Sequence, residues 1–221
     1  MAYIDFVGGL HNRTRRDYVQ RVVENDKADC STVAKRYDRE YWDGDRRYGY
    51  GGYHYDGRWY EVAAAMARHY GLKAGDRILD VGCGKGFLLH EFTRAVPGIE
   101  VEGLDISTYA IANAKEEVRP KLTVGSAARL PFADRSFDFV VSLGALHNLR
   151  IDELWVALSE IQRVGRDQRK YIMVESYRNE REKVNLLYWQ LTCESFYSPP
   201  EWEWIFARTG YDGDYGCIYF E

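Results

Sequence analysis

The run from Arg77 to Leu89, Arg-Ile-Leu-Asp-Val-Gly-Cys-Gly-Lys-Gly-Phe-Leu-Leu, most constrains what this chain can fold into. Ile78, Leu79 and Val81 form an apolar run entering a glycine-rich turn, the pattern of a parallel strand buried on both faces. Gly82, Gly84 and Gly86 allow the backbone to turn sharply and to pass close to a ligand. Phe87, Leu88 and Leu89 begin a helix whose free N–H groups face that ligand. The alternation continues along the chain. Strands are predicted over 77–81, 100–105, 122–124, 137–143, 170–175 and about 216–220. Helices are predicted over 59–70, 87–95, 108–118, 151–164 and about 182–196. A further helix starts after Ser198, with Pro199 at its first position and Glu201 completing a capping box, and ends at Gly210. Such alternation implies an α/β fold, a doubly wound and mostly parallel sheet with helices on both faces.

The glycine spacing discriminates between ligands. A dinucleotide turn of the form Gly-x-Gly-x-x-Gly would place its third glycine at 87, where this chain has Phe87. Asp80 stands just before the first glycine, where a carboxylate repels a pyrophosphate and suits a cationic amino group. About twenty residues past the glycines, Asp105 ends the second strand, a position from which an acidic residue reads a ribose diol. An ammonium-binding Asp, a glycine turn and a ribose-binding Asp together suit S-adenosylmethionine (SAM).

On these residues the chain resembles the class I SAM-dependent methyltransferases, of Rossmann-like fold. The resemblance runs from about Trp59 to the C-terminus. It rests on four segments in order: 78–86, Gly103-Leu-Asp-Ile106, Gly125-Ser-Ala-Ala-Arg-Leu-Pro-Phe132 and Ser136-Phe-Asp-Phe-Val-Val-Ser142. It implies SAM as cofactor, held by Asp80, Gly82, Gly84 and Asp105. Ile106 would cover one adenine face, Ser126 and Ala127 would adjoin the adenine edge, and Leu143 would line the cofactor side of the fourth strand. The family often has Asp where this chain has Ser126; serine accepts a hydrogen bond without charge assistance.

Composition narrows the function. At 221 residues the chain is one domain, or one domain with an extension, and its formal net charge is −4. That charge argues against a general affinity for nucleic acid, which needs a basic face; Arg13, Arg15 and Arg16 are the nearest approach to one. The Asn/Asp-Pro-Pro-Tyr/Phe signature of nucleobase-amine methyltransferases is absent after the fourth strand, where the chain reads Ser-Leu-Gly-Ala-Leu-His-Asn. No apolar run approaches a membrane span, and the N-terminus lacks the features of a signal peptide. The four cysteines are scattered without a Cys-x-x-Cys pair, which fits reduced thiols in the cytoplasm and gives no metal site. Oligomeric state stays open, a homodimer among the options.

Residues 1–57 form a separate, aromatic- and glycine-rich stretch, and 58–221 the SAM-binding domain. Short helices are predicted over 15–24 and, capped by Ser31, over 32–42. The stretch from Asp43 to Arg58 is irregular yet rich in tyrosine, and disordered segments are poor in aromatics. An ordered cap over the cofactor is expected, with Tyr48 and Tyr53 in contact with it, since tyrosine faces attract cations such as a sulfonium.

Three residues at strand ends could carry chemistry. His147 follows the fourth strand; it could act as a base, pack beneath the methionine tail, or cap the next helix. Glu175 and Tyr177 follow the fifth. Glu175 could orient or deprotonate a substrate ammonium, or form a surface ion pair with Arg178 or Arg181. Asn185, Tyr188, Trp189 and Thr192 share one face of the 182–196 helix and could roof the pocket. The implied activity is methyl transfer to a small polar molecule. A SAM-using lyase or cyclase, a macromolecular methyltransferase and a silent SAM-binding partner are the competing readings.

Overall fold

The structure is a computed structural model that describes residues 1–12 and 16–221. Four short helices come first: α1 (Gly8–His11), α2 (Tyr18–Glu24), α3 (Lys27–Ala34) and α4 (Arg39–Trp42). Then follow α5 (Tyr60–Tyr70), β1 (Arg77–Val81), α6 (Phe87–Ala95), β2 (Glu100–Asp105), α7 (Thr108–Ala112), β3 (Leu122–Val124), β4 (Phe139–Leu143), α8 (Ile151–Val164), β5 (Lys170–Glu175), α9 (Glu180–Trp189), α10 (Pro199–Thr209) and β6 (Asp214–Ile218). The six strands form one sheet in the order β3-β2-β1-β4-β5-β6, with every neighbouring pair parallel.

Strand order reverses between β1 and β4, so the crevice beyond their carboxyl ends is the place where such sheets bind ligands. Asp80 lies there, paired in register with Gly103 of β2 and Val141 of β4. Two apolar clusters flank the sheet. One joins Leu79, Val81 and Val140 to α8 and α10 through Leu154, Leu158, Trp202 and Phe206. The other joins Ile78, Phe139 and Val141 to α5 and α6 through Val62, Met66, Leu89 and Phe92. Each such buried side chain contributes about 1.5–3 kcal/mol relative to exposure, and together they fix the strand ends that carry the site.

The first residues add to the sheet. Tyr3 bridges Tyr215 on the outer edge of β6, with Ile4 N donating to Tyr215 O at 2.8 Å and Tyr215 N to Ala2 O at 3.0 Å. Val7 is buried in the α5–α6 cluster. Arg21, Tyr41, Trp42, Arg46, Tyr50 and Tyr53 of the following segment lie instead at the cavity beside the carboxyl ends of β1 and β4.

Several boundaries differ from the sequence expectation, each because a tertiary contact takes the backbone. The 15–24 helix begins at Tyr18, capped by Asp17; Arg13 and Arg15 of the basic patch lie outside the described residues. The 32–42 helix is two helices, capped by Asp26 and Asp38 rather than by Ser31. Between them Tyr37 adopts φ +50°, unusual outside glycine. Its carbonyl accepts hydrogen bonds from the Trp42 indole and the Ser107 hydroxyl, which hold the break. Helix α7 stops at Ala112, because Lys115 N donates to Lys85 O of the glycine turn at 2.9 Å. Helix α9 stops at Trp189, where the carbonyls of Trp189, Gln190 and Leu191 are claimed by Arg21, Lys27 and Ser31. The capping box at Ser198 and Glu201 forms as predicted.

Candidate active site

The glycine turn is shaped by two close approaches. Gly82 has φ +84°, and a Cβ there would lie 2.2 Å from the Ala145 Cβ, so only glycine fits between β1 and the loop after β4. Gly84 has φ +53° and lies under the Trp42 ring, 2.8 Å from where a Cβ would stand. A cavity of about 470 Å³ opens beside this turn. Its floor is Asp80, Gly82, Gly84, Leu143, His147, Asn148 and Glu175; its roof is Trp42, Tyr50 and Tyr53 from the segment before α5 and Trp189 to Thr192 at the end of α9.

Three oxygen atoms on this floor are buried without a hydrogen-bond partner among the described residues: Asp80 Oδ1, Asn148 Oδ1 and Glu175 Oε2. All three are acceptors, and leaving buried acceptors unmatched costs about 1–3 kcal/mol each. Asp80 is 3% exposed; burial, and then the nearby Asp105 charge, push its carboxyl up to about 8. Burial likewise pushes Glu175 up to about 8, opposed by Gln190 and Arg16. Glu175 makes no pair with Arg178, whose guanidinium is taken by Glu182 and Glu221. Its Oε1 accepts from the Gln190 side chain instead.

His147 is buried against Glu175. Its Nδ1 faces the backbone N–H of Glu175 at 3.3 Å, and its Nε2 lies 3.4 Å from Glu175 Oε2. Since the backbone can only donate, Nδ1 is the acceptor, which assigns the proton to Nε2. Burial holds the imidazole down to about 3, so it is neutral at physiological pH. A ring with Nδ1 engaged and Nε2 protonated has no free lone pair. His147 therefore offers no acceptor to the cavity, and the open acceptor of the pair is the carboxyl, whose Oε2 makes no hydrogen bond to the ring.

The structure brings together Asp80, Gly82, Gly84, Leu143, His147, Glu175 and Tyr53. Others of the expected set lie elsewhere. Asp105 is one layer away from the cavity, its carboxylate accepting from Gly84 N and Ser107 N, each at 2.8 Å. Ile106 is 57% exposed, and Ser126 and half-buried Ala127 lie on the same outer side, beyond β2 and β3. Tyr177 turns away from the cavity, its ring 5.0 Å from the Lys183 ammonium. Tyr48 packs against Cys30, Ala34 and Leu191, and the Arg47 guanidinium covers its ring. Tyr53 lines the cavity and stacks on Phe87 at 5.0 Å, its hydroxyl accepting from the Trp59 indole. Among the roof residues Trp189 and Thr192 line the cavity, whereas Asn185 donates to Phe220 O and Tyr188 is exposed.

Residues 79–173 match the family model described as a methyltransferase domain. The chain is 31% identical over 152 residues to the demethylmenaquinone methyltransferase of Staphylococcus aureus, covering 63% of this chain and 62% of that enzyme. It is 37% identical over 102 residues to the uncharacterized protein MJ1252 of Methanocaldococcus jannaschii, covering 46% of this chain and 37% of that one. It thus spans less than two thirds of either relative. Among solved structures it is similar to a Haloferax volcanii methyltransferase captured with the Trm112 methyltransferase activator, at 27% identity and a TM-score of 0.58, covering 70% of this chain and 68% of that one.

Residues 79–173 thus match a methyltransferase domain, and the sheet has the class I methyltransferase fold. Methyltransferases of this family use SAM, and the residues present fit it. The orphaned Asp80 oxygen is the acceptor an ammonium needs, and the turn after it is open enough at Gly82 and Gly84 for close backbone approach. Bound SAM supplies a methyl group already activated by its sulfonium. Three parts of this candidate site are not marked in the sequence. In the sequence pattern Trp42 marks only a helix end, Gln190 a mid-helix position and Asp43 the start of a loop. Nothing local marks them, because each acts through a partner more than a dozen residues away. Among the described residues no cluster of three or more His, Cys, Asp or Glu is placed to hold a metal ion, and no helix is long and apolar enough to cross a membrane.

Proposed function

We propose that this domain methylates nitrogen or oxygen of a small polar metabolite, and that an amine fits best. The observation that supports this is the meeting of three unpartnered acceptor oxygens, Asp80 Oδ1, Asn148 Oδ1 and Glu175 Oε2, at one cavity. Asp80 serves the cofactor ammonium. Asn148 and Glu175 then face the substrate, and acceptors select a group that donates hydrogen bonds. In the transfer, the acceptor lone pair forms a bond to the methyl carbon as the C–S bond breaks. The electron pair stays on sulfur, giving S-adenosylhomocysteine. A proton on the acceptor passes to Glu175, whose other oxygen is held by Gln190. The cap excludes water and aligns the two reactants, which supplies most of the acceleration for a methyl donor this reactive. The covered cavity favours a metabolite over a nucleic acid, and the four cysteines, all free and buried, agree with a reducing cytoplasm.

The test is product analysis with SAM and a panel of small amines and alcohols. S-adenosylhomocysteine formed together with a methylated amine is the expected result. Methylthioadenosine would identify attack on the carbon chain, label appearing only in RNA or protein would identify a macromolecular acceptor, and neither product with SAM bound would identify a silent partner.

A further inference from the structure

Beside Glu175, around Trp189, the cavity wall is cationic. Arg16, Arg21 and Arg46 all line it, and all three guanidinium groups lie over the Trp189 ring, at 5.4, 4.6 and 5.2 Å from its centroid. Three like charges gathered on one indole are unusual in a chain whose net charge is −4. Arg21 donates through Nε to Trp189 O at 2.9 Å and through Nη1 to Arg46 O at 3.4 Å. Arg46 donates through Nη1 to Gly49 O. These bonds go to backbone carbonyls, and neither Arg21 nor Arg46 makes an ion pair among the described residues. The Arg21 and Arg46 forks therefore each keep N–H donors outside these bonds. Burial lowers the affinity of all three for their protons, and the Arg46 charge adds to that for Arg16 and Arg21. For Arg16 the Glu175 charge offsets part of this. A guanidinium cluster of this kind matches the planar oxygens of a carboxylate or phosphate.

Resting on the methyltransferase reading above, we propose that the substrate is an oxyanion as well as a methyl acceptor: a small carboxylate- or phosphate-bearing molecule whose anionic group sits between Arg21, Arg46 and Arg16 at Trp189 while its acceptor atom faces Asn148 and Glu175. The cavity then selects a substrate that carries both a hydrogen-bond donor and an anion. The cofactor's own carboxylate is the rival occupant of the arginine cluster.

Calorimetric titration of the protein saturated with S-adenosylhomocysteine decides between them. Inorganic phosphate and acetate are the separate probes, with ionic strength held constant by chloride. Saturable one-to-one binding of at least one probe is expected, and the stronger of the two indicates the anion class. The Arg21→Gln/Arg46→Gln double variant should bind that probe at least tenfold more weakly, with S-adenosylhomocysteine affinity within twofold of the parent. Arg46→Lys, which keeps the charge and loses the fork, should fall between. If the double variant fails to fold, Arg46→Gln alone is read in the same way, with at least a threefold loss expected. Equal anion binding by parent and variant, or no saturable binding of either probe, overturns the proposal. A parallel loss of S-adenosylhomocysteine affinity in a folded variant also overturns it, by assigning the arginines to the cofactor. Should the parent not bind S-adenosylhomocysteine at all, the cofactor reading fails. The anion titration is then read on the ligand-free protein, where the same difference between parent and variant decides the arginine cluster alone.

Discussion

At the scale of single residues, chemistry turns on which member of the His147–Glu175 pair takes a proton. Burial pushes Glu175 up to about 8 and His147 down to about 3, so near neutrality both are uncharged and no ion pair holds them. The imidazole has its Nδ1 committed to the backbone N–H of Glu175. The carboxyl keeps one oxygen unpartnered at the cavity. A carboxyl that ionises near pH 8 becomes a base as pH rises through that value, so kcat/KM, which reports the free enzyme, should climb between pH 7 and 9 and then level. Glu175→Gln should lower kcat by about 10²–10⁴ and remove the climb, with affinity for S-adenosylhomocysteine unchanged. A variant with parental kcat and a parental pH profile would return Glu175 to a purely structural place beneath the cofactor.

At the scale of elements, the segment ahead of α5 is locked to the glycine turn by one buried network. Lys85, 4% exposed and inside the turn, donates to both oxygens of Asp43 at 2.8 and 2.7 Å and to Tyr53 O at 2.9 Å. Asp43 also accepts from the Tyr109 hydroxyl of α7 and from Tyr53 N. Removing one member of a buried pair leaves a charge unmatched, at a cost of about 3–5 kcal/mol. The cheaper outcome is for the segment to lift and let water reach Lys85. Asp43→Ala should therefore raise amide exchange over residues 48–55 by at least tenfold while exchange in β1 and β4 stays as in the parent. Equal protection in both regions would show that aromatic packing alone holds the segment, through the Trp42–Tyr50 stack and the Tyr53–Phe87 stack. The contrast between this network and the sheet explains what could be read in advance. β1, α6, β2, β3, α8 and β5 follow from local period and turn chemistry, and their bounds matched the sequence expectation. Asp80 and the glycines were legible because one strand and one turn carry them. Asp43, Trp42 and Gln190 were not, since their meaning depends on which distant backbone atom they meet. The overrun of α7 and α9 has the same origin: nothing in the local pattern announces that Lys85 O or Arg21 will claim the chain.

At the scale of the whole molecule, the site lowers the stability of the ligand-free fold in a way that pH exposes. Asp80 and Glu175 ionise near 3.8 and 4.5 when unfolded, and burial raises each to about 8 in the native state. Over that interval the folded protein retains protons that the unfolded chain has released. Stability from these groups is thus fully present at low pH and is lost as pH rises through about 8, by up to about 1.4 kcal/mol per pH unit for each group. Buried His147 and half-buried His11 act in the opposite sense. His11 is held down to about 4, by burial and then by Arg16, and His147 to about 3, so both favour the folded state increasingly up to the unfolded value of 6.5 and add nothing beyond it. Lys27, lowered by burial to about 8, adds stability only as pH rises above that value. Between pH 6.5 and 8 the two carboxyls therefore dominate, and the melting temperature of the ligand-free protein should fall across this window in scanning calorimetry. Asp80→Asn removes one of the two groups, so its decline should be about half as steep, and at pH 8 it should melt above the parent. Saturating S-adenosylhomocysteine should flatten the parent curve in the same window, because an ammonium beside Asp80 lets that carboxyl ionise without loss. A parent curve that is flat or rising from pH 6.5 to 8, or a decline unaltered by both Asp80→Asn and ligand, would remove Asp80 from the role of a buried carboxyl waiting for a cation.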